Sequence, residues 1–343
     1  MDKPAQNNLN LLRLLFAWLV IVGHSYDLVD GNFAREPMNY LFGTIPSHYL
    51  AVNAFFVISG YLIAKSWHYD PCVTRFLQRR VARIVPGFLC CVLICIGFYS
   101  FLYDHDYLSR FNWPTFLAKM TLLQSGGLPP AFPDSRYPVL NQSLWTIHYE
   151  FLCYIGLMLL GKYQLLRSRL VLPACVAMVL CHIGYLLLGN LLWQQINGGH
   201  EPGFMYYLIN WVRFAGCYLA GVAWMQHEDR IRKVSAEYPL VVFGLFILTL
   251  AISPLHLVAT TLLLVPLLSY LAFNIPAIRG FWLKNDISYG LYLYAWPVQK
   301  IIMASTTIAN PLLLILLSSL GGGLLGWLSW ITVERPALKL LRP

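Results

Sequence analysis

Charge is what this sequence has least of. Of its 343 residues only 11% are Asp, Glu, Lys or Arg, about half the share of an ordinary soluble domain, and 58% are apolar. The apolar residues fall in runs along the whole length, at a mean hydropathy of +0.59. That excludes a soluble globule, a disordered chain and a coiled coil, and it points to a polytopic membrane protein. A disulfide framework is missing too. Cys72, Cys90, Cys91, Cys95, Cys153, Cys175, Cys181 and Cys217 lie in apolar runs or in a loop read below as cytoplasmic, with no CxxC pair and no Cys/His spacing of a metal site. The first apolar run, from about Leu9, lacks a small-residue cleavage site and reads as a retained helix, not a signal peptide. No internal repeat of the kind common in secondary transporters is evident. The net charge of +9 reports topology before it reports a polyanionic partner, and no nucleic acid is expected.

A spanning helix needs roughly 20 apolar residues. Read that way, the chain is all-α, with ten transmembrane helices near 9–28, 48–66, 84–103, 143–161, 171–193, 204–225, 240–253, 255–273, 286–304 and 312–333. The seventh and eighth share a short stretch broken at Ser253 and Pro254, but two crossings are needed there to keep both flanking basic loops on one side. Lys65, Arg75, Arg79, Arg80, Arg83, Lys162, Arg167, Arg169, Arg230, Arg232 and Lys233 all fall on one face of that layout. So do Lys3, Arg279, Lys284, Arg335, Lys339 and Arg342, making 17 of the 24 basic residues. The positive-inside rule makes that face, and with it both termini, cytoplasmic. The outer segments 29–47 and 104–142 are too short for domains of their own and read as lids or re-entrant pieces on a single 1–343 domain.

Ionisable groups inside apolar spans are costly, so each is a functional candidate. Arg13 and His24 stand on one stripe of the first helix, separated along its axis by about 16 Å. Asp27, one turn beyond His24, is placed to orient the ring. The competing reading has Arg13 snorkelling to the cytoplasmic surface and His24 in an interhelical hydrogen bond. Arg80 and Arg83, three residues apart before Pro86, can face one phosphate-bearing ligand at the cytoplasmic interface; a topogenic cluster on anionic lipid fits the same residues. Ser59-Gly60 opens a close approach for another backbone or for a slim ligand. Glu150, about two turns into the fourth helix, is a candidate partner for His24 in acid/base work, with His148 and Trp145 beside it. Arg213 in the sixth helix either neutralises Glu150 or binds substrate. Tyr289 and its neighbours up to Pro297 supply aromatics and a kink suited to lining a cavity, or simply an aromatic core. Glu334 is expected to pair with a nearby basic residue.

Taken in order, these pieces are informative. Arg13 with His24, Phe55-Phe56 with Ser59-Gly60, Arg80 to Arg83 before Pro86, Ser143-Leu-Trp145 with Glu150, Ile287-Ser-Tyr-Gly-Leu-Tyr-Leu293 and the closing Glu334-Arg-Pro336 run through nearly the whole chain. The chain resembles the acyltransferase-3 family of integral membrane acyltransferases, which includes bacterial O-antigen and exopolysaccharide O-acetyltransferases. The resemblance implies a multi-pass inner-membrane enzyme that takes an acyl group, usually acetyl from cytosolic acetyl-CoA, and places it on a hydroxyl of a surface polysaccharide, such as lipopolysaccharide, or of a lipid-linked glycan. It makes His24 the catalytic histidine and Glu150 an active-site carboxylate. Arg80 and Arg83 engage the donor, and Arg13 supports donor binding or the local charge balance. From the reading of the residues themselves, Asp27, Ser59, Gly60, Trp145, His148, Arg213 and Tyr289 are candidates for supporting or cavity-lining places. Acyl-CoA is then a substrate, and no cofactor or metal is permanently bound. Two departures stand out. Ala295 occupies a place where some members carry His, and the sequence ends after the tenth helix, where some members continue into an SGNH-type domain. No GxSxG segment substitutes for that domain, so transfer is expected to finish within the bundle or with a partner. The competing classes are a transporter or flippase of an acylated or anionic metabolite, using the same charges as a relay, and a non-catalytic scaffold.

Overall fold

A backbone surrounded by hydrocarbon must satisfy its own N–H and C=O groups, and the apolar runs of this chain do so as helices throughout. The computed structural model describes residues 7–124, 127–133, 135–196, 203–278 and 285–340, and among these no β-strand occurs. Lys3, Arg279, Lys284 and Arg342, used above to orient the chain, lie outside the described residues. The helices are α1 (Leu9–Asp30), α2 (Pro37–Phe42), α3 (Ser47–Tyr69), α4 (Val73–Leu102), α5 (Trp113–Thr121), α6 (Trp145–Lys162), α7 (Ser168–Ile196) and α8 (Gly203–Gln226). There follow α9 (Glu228–Glu237), α10 (Pro239–Leu250), α11 (His256–Asn274), α12 (Ser288–Ser305) and α13 (Pro311–Lys339).

Each of the ten expected spans coincides with a helix, but only seven helices among the described residues are long and apolar enough to cross a bilayer: α1, α3, α4, α6, α7, α11 and α13. The three that fall short have physical reasons. With 12 residues α10 measures about 18 Å, well under the roughly 30 Å hydrocarbon core, and it is bent by 93° from α9. The other two carry polar side chains: Asn210, Arg213 and Gln226 in α8, and Ser288, Gln299 and Lys300 in α12. The α12 helix is buried on nearly every face, whereas α13 exposes a stripe of Leu312, Leu316, Leu320 and Leu324. The α4 helix starts eleven residues before the expected span, so Arg75, Arg79, Arg80 and Arg83 belong to it, and it continues through Pro86.

The chain forms two compact units. Unit 1 comprises Met1–Phe16, Pro37–Cys72 and Cys153–Ile278, and unit 2 comprises Ala17–Glu36, Val73–Leu152 and Arg279–Pro343; α1 and α6 each contribute to both. Unit 1 is built on the crossing of α3 and α8. A Cβ on Gly60 would sit 2.0 Å from the Tyr218 carbonyl oxygen, and one on Gly221 would sit 2.0 Å from that of Val57. The space beside Ser59-Gly60 is therefore filled by helix backbone, and around it Phe56 stacks on Phe214 and Tyr61 on Trp224, each at 4.3 Å. Asn8, 3% exposed, finishes α11 from the start of α1: its amide donates to the carbonyls of Leu271 at 3.1 Å and Ile275 at 3.2 Å. In unit 2, α12 and α13 cross where a Cβ on Gly290 would meet the Gly326 Cα at 2.7 Å. All eight cysteines are free thiols.

Candidate active site

Pro297 organises unit 2. It has no N–H to offer the Leu293 carbonyl four residues earlier, and that carbonyl accepts instead from the side-chain amide of Asn141 at 2.8 Å. Asn141 is 3% exposed, and its Oδ1 accepts from the Ser143 N–H at 3.0 Å, capping the turn that opens α6. One buried amide thus fixes the start of α6, which carries Trp145, His148 and Glu150, against the middle of α12.

Along α12, Tyr289, Tyr292, Trp296 and Lys300 recur at helical spacing, and each meets a different part of the unit. The Tyr289 hydroxyl donates to the Ile84 carbonyl at 2.9 Å. Tyr292 shares a 2.6 Å hydrogen bond with Thr146 in α6. Trp296 meets the His24 ring edge-on, centroids 4.8 Å apart and planes at 89°. Gln299 holds α1 at the same level, donating to the Ile21 carbonyl at 3.0 Å and to Ser25 Oγ at 2.7 Å. Lys300 bonds Ser135 and donates to the Tyr137 carbonyl at 2.8 Å.

Asp27 is 5% exposed, and the loop before α6 engages both its oxygens: Tyr137 donates to Oδ2 at 2.6 Å, and Arg136 pairs with Oδ1 at 3.3 Å. The Tyr137 ring packs against Trp296 at 5.7 Å, so the carboxylate reaches the His24 environment through Tyr137 and Trp296. Burial, and then the Asp27 hydrogen bond and charge, push the Tyr137 phenol up to about 12, which keeps it a donor at any ordinary pH. Half-buried Glu150 stands within electrostatic range of Tyr289 and Tyr292. The indole of Trp145 lies 5.7 Å from Tyr149. The His148 ring is taken up by the segment after α5: Nδ1 lies 2.7 Å from the Leu122 carbonyl and Nε2 lies 3.3 Å from the Gln124 amide. The first contact requires Nδ1–H to donate, which leaves Nε2 as the acceptor and makes His148 an anchor for that segment.

At the Tyr289 end, Arg83 pairs with Asp286 at 2.5 Å and with the fully buried Glu334 at 3.7 Å. Its guanidinium also lies over Trp330 and Tyr289 at 5.4 and 5.8 Å. Glu334 thereby has the basic partner expected of it, within the membrane-edge cluster itself. Arg80, one turn earlier, lies over Phe76 at 5.6 Å. Any phosphate that reaches Arg83 meets a guanidinium already bonded to carboxylates.

The remaining candidates belong to unit 1. Arg13 is half-buried in the first turns of α1. Ser59 donates to the Tyr154 hydroxyl at 3.3 Å. Arg213 lies 3.6 Å over Tyr49 and donates to Asn53 Oδ1 at 2.9 Å and Asn210 Oδ1 at 3.3 Å, so its neighbours are neutral amides and an aromatic face. Glu150 is a residue of unit 2. Sequence reasoning missed Asn141, Asp286 and the Arg136-Tyr137 pair. Only Asn141 left a signal, since Pro297 announces a carbonyl in need of a donor.

A 27% identical relative, aligned over 346 positions that cover 98% of this chain and 97% of its own, is named an O-acetyl transferase of Shigella phage Sf6. No solved structure matches the chain. The family model described as an acyltransferase domain, of the acyltransferase-3 type, matches residues 6–331. The chain therefore belongs to the acyltransferase-3 family of membrane acyltransferases.

Proposed function

We propose that this enzyme moves an acetyl group from cytosolic acetyl-CoA to a hydroxyl of a surface polysaccharide or lipid-linked glycan, across the inner membrane of a bacterial cell. The observation that carries the reading is the His24–Trp296 contact, held from both sides by Gln299 and the Asp27-Tyr137 pair. A catalytic base needs a fixed direction, and the edge-on Trp296 ring supports one for the His24 imidazole. In the reaction, neutral His24 accepts the proton of the acceptor hydroxyl as its oxygen bonds to the thioester carbonyl carbon. The C–S bond then breaks, and the imidazolium returns the proton to the departing thiolate of CoA. Atoms and charge balance without a cofactor or metal. Glu150 supports the charge changes from α6, and Arg13, Arg80 and Arg83 serve the donor end. Arg83 does so with Asp286 already bound.

The same reading takes α8, α10 and α12 as crossings beside the seven apolar helices, ten in all, with both termini cytoplasmic. Its support is the distribution of Lys and Arg. The test is chemical: surface polysaccharide from cells with and without the gene is analysed for ester groups. Loss of one defined ester supports the proposal. An unchanged ester pattern, together with flux of an acylated metabolite across sealed vesicles, favours a transporter.

A further inference from the structure

Within unit 2 a cavity of about 740 Å³ opens beyond the His24–Trp296 pair. Its walls begin one helical turn on from both rings, at Leu28, four residues after His24, and at Lys300, four residues after Trp296. The volume lies in the range of small-ligand sites.

One wall is aromatic. Tyr99 and Tyr103 stack at 5.7 Å, and Phe132 meets them edge-on at 4.8 and 5.2 Å. Phe132 takes up a left-handed backbone with φ of 55°, held by its N–H donating to the Tyr99 hydroxyl at 2.9 Å. A bulky residue kept in that conformation marks a place the fold has constrained, and such places cluster at ligand sites. The other side carries charge, with cations in excess: Arg110 there is paired with Asp104, and Arg136 and Lys300 complete the lining. Lys300, only 2% exposed, sets its ammonium 5.0 Å over the Phe132 ring, and among the described residues no carboxylate pairs with it. Arg136 lines the same cavity, with its side chain 50% exposed, and pairs with Asp27 at 3.3 Å.

Aromatic faces suit the apolar faces of sugar rings, and a buried ammonium with neutral partners favours an incoming anion. We propose that this cavity is the acceptor site and that it selects a glycan bearing a negative charge. A sugar ring lies on Tyr103 and Phe132, the anionic group is held by Lys300 and Arg136, and the hydroxyl to be modified points toward His24. The proposal rests on the acyltransferase reading above. The anion has two possible sources, a carboxylate on the sugar or the pyrophosphate of a lipid carrier, and the test separates them.

The full chain in nanodiscs is titrated with three fluorescent oligosaccharides of equal length: a neutral one, one containing a hexuronate, and the neutral one on a polyprenyl pyrophosphate. A charged probe is expected to bind about tenfold or more tighter than the neutral one. Lys300→Met should remove that preference and Lys300→Arg should keep most of it. Tyr103→Leu, at the accessible rim, should weaken all three severalfold without altering the preference. Tighter binding of the hexuronate identifies the sugar as the source, and of the pyrophosphate alone the carrier. Equal binding of all three, binding of none, or an undiminished preference in folded Lys300→Met overturns the proposal. Binding is read without turnover. Charge-selective binding with no ester formed by the native protein would therefore count against the acyltransferase reading and leave this one standing.

Discussion

The side-chain amide of Asn141 donates at 2.8 Å to the Leu293 carbonyl, the group that Pro297 leaves without its helical donor. Asn141→Leu removes the amide donor to that carbonyl and also the cap at Ser143, leaving only the Cys91 thiol, a weak donor at 3.4 Å. Removing a hydrogen-bond partner from a buried carbonyl costs about 1–3 kcal/mol. Denaturant or thermal unfolding in detergent should register that loss, and kcat should fall with it because α6 and α12 lose their common register. Native stability in Asn141→Leu would show that the Cys91 thiol alone satisfies the kinked carbonyl.

Arg80 and Arg83 should separate in kinetics although they are three residues apart. Arg83→Ala strands the fully buried Glu334 beside Asp286, and breaking such a pair costs about 3–5 kcal/mol. Its main effect should be on folded yield and unfolding midpoint. Arg80→Ala should raise KM for acetyl-CoA more than it lowers the unfolding midpoint. The opposite pattern, with stability lost at Arg80 and donor binding lost at Arg83, would contradict the assignment.

The space beside Ser59 tests whether a helix or a ligand fills it. In Gly60→Val the new Cβ falls 2.0 Å from the Tyr218 carbonyl oxygen, which α8 cannot yield without shifting. Overpacking of this kind typically costs about 1–3 kcal/mol. We expect a lowered unfolding midpoint before any change in substrate affinity. A stable Gly60→Val protein with only a raised KM would instead mean that the approach serves a substrate.

Much of the fold was legible because apolar runs form helices in a bilayer: each of the ten runs read from the sequence falls on a helix, and seven of these are long and apolar enough to cross. What periodicity could not give is which helices are wrapped by protein. The α12 helix contains Ser, Tyr, Gln and Lys because protein surrounds it, and a hydropathy threshold tuned to lipid passes it over. Among the candidate residues, His24, Glu150, Arg80 and Arg83 could be picked out because they carry polarity in or beside apolar runs, where it is costly. Asp286 and Arg136 did not, because they lie in loops where charge is ordinary. The partner of Asp27 was equally hidden, since Tyr137 stands 110 residues away and only tertiary structure brings it to the carboxylate.

Tyr137 gives a pH signature. Its phenol is raised from about 10 in the unfolded chain to about 12 in the fold, so the folded state holds this proton more tightly. The stabilisation is fully present below about pH 10 and is lost as pH rises from about 10 to about 12. Tyr137→Phe, which removes the hydrogen bond to Asp27, should cost about 1 kcal/mol, a modest figure because the phenol is partly in contact with water. The difference between native and variant should stay flat from about pH 6 to about pH 9 and shrink above about pH 10. A difference that varies across the neutral range would mean that another group controls the contact.

The most direct test of the account is single-turnover transfer of labelled acetyl from acetyl-CoA to glycan by purified native protein and by His24→Ala. Removing a general base typically costs 10²–10⁴-fold, so the variant should retain at most about one hundredth of the native rate, with its unfolding midpoint and its affinity for acetyl-CoA close to native. A folded His24→Ala protein that forms the ester at the native rate would contradict the assignment of this histidine, and with it the chemistry built on its contact with Trp296.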